Sequence, residues 1–259
     1  MEANRRPRTF THAKRIAGYN RPLYAAAACG ILVGAGVAAY PGTPAALRWA
    51  AAVAIAVTAW LSAASFWAFH WMFDRSELLG GRWIGEELAS SPRRWVLINA
   101  GLDETTLPLQ EIFPGAEGKA LDIFDPASMT EPAITRARLQ GAGASAVTAP
   151  PDALPVGKGW ADLVVVMLAA HEIRDAGLRE RFFREVSRIV SPGGRVILVE
   201  HLRNLAAALA FGPGMFHFFP RRAWLRLGTL SGLELERERR ITPYVRVFTF
   251  RIPAGRDPV

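Results

Sequence analysis

Two charge-free apolar stretches near the start of the chain limit its folding options most. Leu23–Tyr40 is 18 residues long and Trp49–Phe73 is 25; neither holds Asp, Glu, Lys or Arg, and His70 is the only ionisable side chain of the second. At about 1.5 Å rise per residue the first would span roughly 27 Å as a helix, close to the ~30 Å thickness of a bilayer's hydrocarbon core. Pro41-Gly-Thr-Pro44 separates the runs and stops one helix before the next begins. Trp49 at one end of the second run, with Trp67 and Trp71 near the other, matches an aromatic belt. The reading is a transmembrane helical hairpin over residues 22–73, after a basic arm over 1–21. Small residues of the first run (Ala25 to Ala28, Gly30, Gly34, Gly36) suit close helix contact. A cleaved signal peptide fits less well, because its apolar region would be too long and the second run would still anchor the chain.

Charge sets the expected orientation. The net charge is +8, and residues 1–21 carry +5 of it through Arg5, Arg6, Arg8, Lys14, Arg15 and Arg21 against Glu2. Arg75 and Arg82 follow the second run, and the connecting segment has only Arg48. The positive-inside bias places both ends in the cytoplasm, so the expected location is the inner membrane, multi-pass, with the rest of the chain facing the cytoplasm. The remaining residues are close to neutral, which argues against nucleic acid as a partner. The single cysteine, Cys29, excludes a disulfide framework and a cysteine-built metal cluster.

From Arg93 onward, short apolar runs alternate with helical patterns. Strands are expected at 95–99, 120–124, 144–147, 162–168 and 195–200, with two more at 233–237 and 244–252. Residues 178–190 carry Leu178, Phe182, Val186 and Ile189 on one helical face before the stop at Ser191-Pro-Gly-Gly194. The fold class is α/β: a doubly wound, Rossmann-like seven-stranded sheet, its last strand antiparallel, over residues 74–259. Ligands of such sheets sit beyond the strands' C-terminal ends.

Three segments lie there: Asn99-Ala-Gly-Leu-Asp-Glu104, Asp122, and Met167-Leu-Ala-Ala-His-Glu172. Asp122 follows Gly101 by 21 residues, the spacing that puts a carboxylate on ribose hydroxyls. The first loop has one glycine and two carboxylates, Asp103 and Glu104, where a dinucleotide's pyrophosphate would need glycines and no negative charge. A nucleoside cofactor without phosphate and with a positive centre suits it, and S-adenosylmethionine is such a molecule. A nicotinamide-dependent reductase is disfavoured on the same ground.

Residues 160–204, WADLVVVMLAAHEIRDAGLRERFFREVSRIVSPGGRVILVEHLRN, resemble the fourth-to-fifth-strand region of class I S-adenosylmethionine-dependent methyltransferases, closest to the ubiquinone/menaquinone-type small-molecule enzymes. The resemblance covers about residues 73–252 and leaves the hairpin outside it. It implies S-adenosylmethionine held by Asn99, Ala100, Gly101, Asp122, Ile123, Asp152, Ala153, Met167 and Leu168. Within Pro150-Pro-Asp152-Ala-Leu-Pro155, the Asp152 carboxylate would take the adenine amino group. The family's first loop reads acidic-x-Gly-x-Gly-x-Gly; here Asn99 replaces the acidic residue and only Gly101 of the glycines remains.

His171, just past the fourth strand, is the candidate catalytic base, since methyl transfer to an O–H, N–H or acidic C–H needs alignment and removal of a proton. His171-Glu172 and Glu200-His201 do not fit the spacing of a His-Glu-x-x-His helix, so no metal is expected. The segment 211–226, FGPGMFHFFPRRAWLR, has two readings: one at the bilayer surface, with Arg221, Arg222 and Arg226 on lipid headgroups and its aromatics lining a path for the acceptor, and one as an ordinary amphipathic helix packing on the sheet. The resulting expectation is a membrane-anchored methyltransferase whose partners are the lipid bilayer and a lipophilic small-molecule or lipid acceptor. The alternative is a non-catalytic methyltransferase-fold subunit of a membrane assembly.

Overall fold

The computed structural model describes residues 10–101, 103–139 and 146–253. Helix α1 (Thr11–Tyr19) leads into α2 (Arg21–Ala39) and α3 (Ala45–Phe69). α3 continues as one turn of π-helix over His70–Arg75, and a 3-10 turn, Leu78–Gly80, follows before the short α4 (Arg82–Glu86). Then come β1 (Arg94–Asn99), α5 (Thr106–Ile112), β2 (Glu117–Asp122), α6 (Pro132–Arg138), β3 (Val147–Thr148) and β4 (Ala161–Met167). α7 (Ala176–Ile189), β5 (Val190–His201), α8 (Leu205–Phe211), α9 (Arg221–Leu230), β6 (Glu234–Arg240) and β7 (Val245–Arg251) complete the chain.

The seven strands form one sheet in the order β3-β2-β1-β4-β5-β7-β6. Pairing is parallel from β3 to β5, and β7 runs antiparallel to both β5 and β6. The order reverses at β1/β4, the switch point where α/β sheets place their ligands. Several strand bounds differ from the sequence reading; the second strand, expected at 120–124, is β2 and ends at Asp122. The strand expected at 144–147 is the two-residue β3, and residues 144 and 145 lie outside the described residues. β5 absorbs the expected Ser191-Pro-Gly-Gly194 stop, with a shift of register against β4 between Ala161 and Leu163.

Alternate side chains of each strand feed two cores. Val96, Ile98, Val164, Val166, Val196 and Leu198 meet Phe182, Phe183 and Val186 of α7 and Trp224 of α9 on one face. Trp95, Leu97, Leu163, Val165, Ile197 and Val199 meet Ala68, Met72 and Trp83 on the other. The end of α3 is therefore part of the second core. A continuous sheet of β-branched and leucine side chains buried on both faces is the pattern a parallel sheet requires.

Helices α2 and α3 are both long and apolar enough to cross a membrane. They pair as a hairpin: Tyr24 Oη and Ser65 Oγ are 3.0 Å apart, and a Cβ on Gly34 would come 3.0 Å from Ile55. Gly30 and Gly36, by contrast, face nothing within 4 Å. No residue of α2 is buried, and Leu23, Leu32, Val33, Trp49, Val53 and Trp60 lie exposed along the pair. Contiguous apolar surface of this extent marks an interaction with protein or membrane. At the tip, Arg48 donates to the carbonyls of Tyr40 and Pro41, and Thr43 Oγ1 donates to Val37.

The hairpin is docked on the sheet domain. Trp60 Nε1 donates to the Leu209 carbonyl of α8 at 2.9 Å, Phe69 packs against Phe211, and the side chain of Leu61 sits against Gly212. α1 folds back as well. Asp74, buried, accepts the backbone N–H groups of His12 and Ala13, and the side chain of Arg136 donates to the Tyr19 carbonyl. A close approach elsewhere yields a clean test of packing. Gly118 in β2 lies under the Trp95 ring, whose Cζ2 would be 2.0 Å from a Cβ there. Gly118→Val should cost roughly 1–3 kcal/mol by overpacking, seen as a lower thermal midpoint of the detergent-solubilised chain.

Candidate functional site

The C-terminal ends of β1, β4 and β5 open into a cavity of about 690 Å³. Its sheet-side wall includes Ala100, Thr105, Met167, Leu168, His171 and Glu172. The opposite wall is the hairpin: Leu23, Tyr24, Leu61, Ser62, Ser65 and Phe69. Arg15, Ile16 and Tyr19 of α1 close one side, and Phe211, His217 and Phe218 another. A second cavity of about 430 Å³, beside the ends of β2 and β3, is lined by Phe124, Asp125, Thr148, Pro150, Asp152 and Leu178.

Four of the expected residues, Ala100, Met167, Leu168 and His171, line the large cavity together. Leu168 has φ +47°, the one non-glycine residue in the left-handed region among those described. Such strain collects at functional sites, where surrounding structure holds it. Asn99 is buried at the end of β1; its Oδ1 accepts from the Gly101 N–H, and its Nδ2 has no partner among the described residues. Thr105 Oγ1 is likewise buried and unpartnered. Gly101 has φ +100°, and a Cβ would meet Ile134 at 3.0 Å, so both conformation and α6 packing demand glycine. Leu102 lies outside the described residues.

Asp122 and Ile123 are buried and line neither cavity. The Asp122 carboxylate accepts the Phe124 N–H and is paired with Arg138, whose guanidinium also stacks on Phe124. Asp152 lines the second cavity and pairs with Arg181 at 3.0 Å; Ala153 is exposed in the same turn. Of the two loop carboxylates, Asp103 accepts the Thr105 and Thr106 N–H groups at the start of α5. Glu104 is paired with Arg15, so the N-terminal helix neutralises a carboxylate of the first loop.

Around His171 the structure assembles groups that sequence spacing does not connect. Nδ1 lies 2.7 Å from Glu200 Oε2, and Nε2 lies 3.1 Å from Glu172 Oε1. Glu172 Oε1 is also 3.2 Å from His217 Nε2. The register Met167↔Val199 explains the meeting: His171-Glu172 and Glu200-His201 leave adjacent parallel strands at the same edge. Burial opposes a charge on His171, but Glu200 and Glu172 outweigh it and push its pKa up to about 10. Burial also works against the Glu172 carboxylate, yet His171 and His217 hold it well below the ordinary range. His201, deprived of solvent and facing His171 and His217, is pushed well below an ordinary histidine. Both ring nitrogens of His171 face carboxylates, so as placed neither is free to take a proton from an acceptor.

The segment 211–226 divides in a way its composition does not show. Phe211 and Phe218 reach the cavity, Trp224 is buried in the core, and Arg221 pairs with Glu238 at 2.6 Å while remaining exposed, as Arg222 and Arg226 are.

Residues 101–198 match the family model described as a methyltransferase domain. No curated protein matches the sequence. Among solved structures, a SAM-dependent methyltransferase from Aquifex aeolicus is similar at TM-score 0.53 and 12% identity, over 68% of this chain and 93% of that one. A protein from Pyrococcus horikoshii OT3 is similar at TM-score 0.51 and 14% identity, over 68% and 89%. The mitomycin 7-O-methyltransferase MmcR gives TM-score 0.49 and 20% identity, and the match spans only 54% of that chain. The sheet domain thus has the S-adenosylmethionine-dependent methyltransferase fold, and S-adenosylmethionine is the cofactor this match supports.

Some of the residues present suit that cofactor: orphaned polar atoms lie just past β1, and an acidic side chain lines the second cavity. The unpartnered amide of Asn99 and hydroxyl of Thr105 offer hydrogen bonds to an amino-acid moiety, and the second cavity with Asp152 offers space and an acceptor for a base. Asp122 is paired with Arg138. Glu200, fully buried, accepts from the N–H groups of Ala170 and His171 as well as facing Nδ1 of that histidine. Glu200→Ala strands all of these groups, so unfolding free energy should fall by roughly 3–5 kcal/mol, measurable by denaturant titration against the parent chain.

Proposed function

We propose that this chain is a membrane-anchored methyltransferase that moves a methyl group from S-adenosylmethionine to a lipophilic small molecule or lipid. The observation that carries the reading is the shared cavity, with the sheet's ligand edge on one side and the two long apolar helices on the other. A solute partitioned in a bilayer would reach such a site along the hairpin without crossing water. Leu205, Leu209 and Phe216, exposed on the segment that packs against α3, extend the apolar surface beside it. The asymmetry of charge about the hairpin, with Arg48 alone at the tip, supports a cytoplasmic sheet domain in the inner membrane.

When bound, S-adenosylmethionine supplies an electrophilic methyl group. The protein's part is position and exclusion of water. Asn99 and Thr105 would hold the amino-acid end, Ala100, Gly101, Met167 and Leu168 would wall the reactive end, Asp122 and Ile123 the ribose, and Asp152 with Ala153 the base. Arg138 must share or release Asp122 for the ribose to bind. Phe69, Phe211 and Phe218 shape the apolar part of the cavity, and Tyr24, Ser62 and Ser65 give its hairpin wall a few hydroxyls that can orient a polar head. Residues 22–73 act as anchor and as acceptor wall, which raises the local concentration of an apolar substrate.

Calorimetric titration of the detergent-purified chain with S-adenosylmethionine tests the cofactor site. Binding should weaken at least about tenfold, or 1.4 kcal/mol, in Asp122→Ala. No binding to folded protein would leave a non-catalytic scaffold as the reading. Filling the hairpin wall with Ser62→Trp should cut methyl transfer to a membrane lipid extract about tenfold or more while cofactor affinity stays within about twofold. Topology is tested separately. In a Cys29→Ser background, Thr43→Cys should react with a membrane-impermeant thiol reagent from the periplasmic side only.

A further inference from the structure

A cluster on the cavity wall combines two imidazoles and a carboxylate with a built support. One ligand atom from each of His171, Glu172 and His217 lies within 4.8 Å of the other two. Separations of 3.1 and 3.2 Å from the glutamate oxygen to each ring nitrogen are close to those of ligands about 2.0–2.2 Å from a shared ion. Nitrogen and carboxylate donors in this ratio suit first-row divalent ions such as zinc, cobalt or iron(II).

The support is a separate observation. Glu200 Oε2 takes Nδ1 of His171 at 2.7 Å, and Glu200 Oε1 is held by the Ala170 N–H at 2.8 Å. With Nδ1 held by Glu200, Nε2 is the ring atom left to face Glu172. This carboxylate–imidazole arrangement is the one that fixes tautomer and ring orientation in metal sites. Arg174 ties the two ligand segments together by donating to the carbonyls of His171 and His217. Glu172 and Glu200 are buried, and their side-chain partners among the described residues are His171 and His217 rather than Lys or Arg. His201, buried beside them with Nδ1 unpartnered, adds a further polar atom to the same wall of the cavity.

We propose that His171, Glu172 and His217 bind one divalent transition-metal ion, with Glu200 as the positioning residue behind His171. All three ligands line the cavity, so the ion's remaining coordination positions face the acceptor. A hydroxyl or carbonyl oxygen of the acceptor is the ligand class that would complete it. That acceptor role rests on the function proposed above; ion binding itself does not.

The test uses the full chain in detergent, stripped with chelator and titrated with Co²⁺ alone, with S-adenosylmethionine titrated into the same preparations. Visible ligand-field bands should saturate at about one equivalent and be displaced by Zn²⁺. Glu172→Gln and His217→Ala should each weaken Co²⁺ binding by about 100-fold, and Glu200→Gln by about 10–100-fold. Circular dichroism confirms folding, and half-buried His217 provides the variant least disturbing to the core. Absent bands in folded protein, or bands unchanged in His217→Ala, overturn the site, and intact cofactor binding would then leave the methyltransferase reading standing. Stoichiometric Co²⁺ without S-adenosylmethionine binding supports the ion site and removes the proposed enzyme.

Discussion

The ligand edge of this protein depends on one buried carboxylate. Glu200 lies at the end of β5 with no exposure to solvent, and its bonds to Ala170 and His171 tie β5 to the turn that leaves β4. A buried charge is tolerated only when it is paired and hydrogen-bonded, so this tie fixes the turn's conformation and the direction of the His171 ring. Leu168, left-handed just before that turn, is held in an unfavourable region because the segments on either side of it cannot move independently. Positions of His171, Glu172 and, through Glu172, His217 follow from the same constraint.

A second constraint joins the apolar hairpin to the sheet. α3 does not end at a flexible joint. It passes through a π-helical turn, and Ala68 and Met72 belong to the core beneath β1, β4 and β5. Trp60 is bonded to α8 higher up, and α1 crosses back to Asp74 and Arg136. The helices consequently sit at a set angle over the C-terminal strand ends, and the space left between the two parts is the large cavity. Arg15 contributes chemistry as well as packing, since it compensates the Glu104 carboxylate that the loop would otherwise turn toward the site.

Much of this was legible in the residues. β1, β4 and β5 are near-continuous apolar runs, as strands buried on both faces must be, and Leu178, Phe182 and Val186 mark the buried stripe of α7. Ala100, Met167, Leu168 and His171 could be placed at the ligand edge because strand ends locate it. β3 was harder. Two residues of pairing carry too little pattern to separate a strand from a loop. Asp122 was readable as a strand-end carboxylate, but its partner Arg138 comes from a helix 16 positions away, and no local spacing reports that pair. Arg221, exposed on α9, pairs with Glu238 of β6, a contact that composition does not report.

Local patterns of polarity determined the elements themselves: two long apolar helices, a largely parallel sheet, and the edge at which a ligand must sit. These depend on which side chains can leave water, a property each stretch of sequence carries alone. Only the tertiary structure decided what the edge contains. His171-Glu172 and Glu200-His201 are separate dipeptides until parallel pairing of β4 with β5 brings them level, and His217 joins them from a segment beyond. The hairpin became a wall of the site for the same reason. Contacts between distant segments arise from register and packing, and those are settled by the whole fold rather than by any window of it.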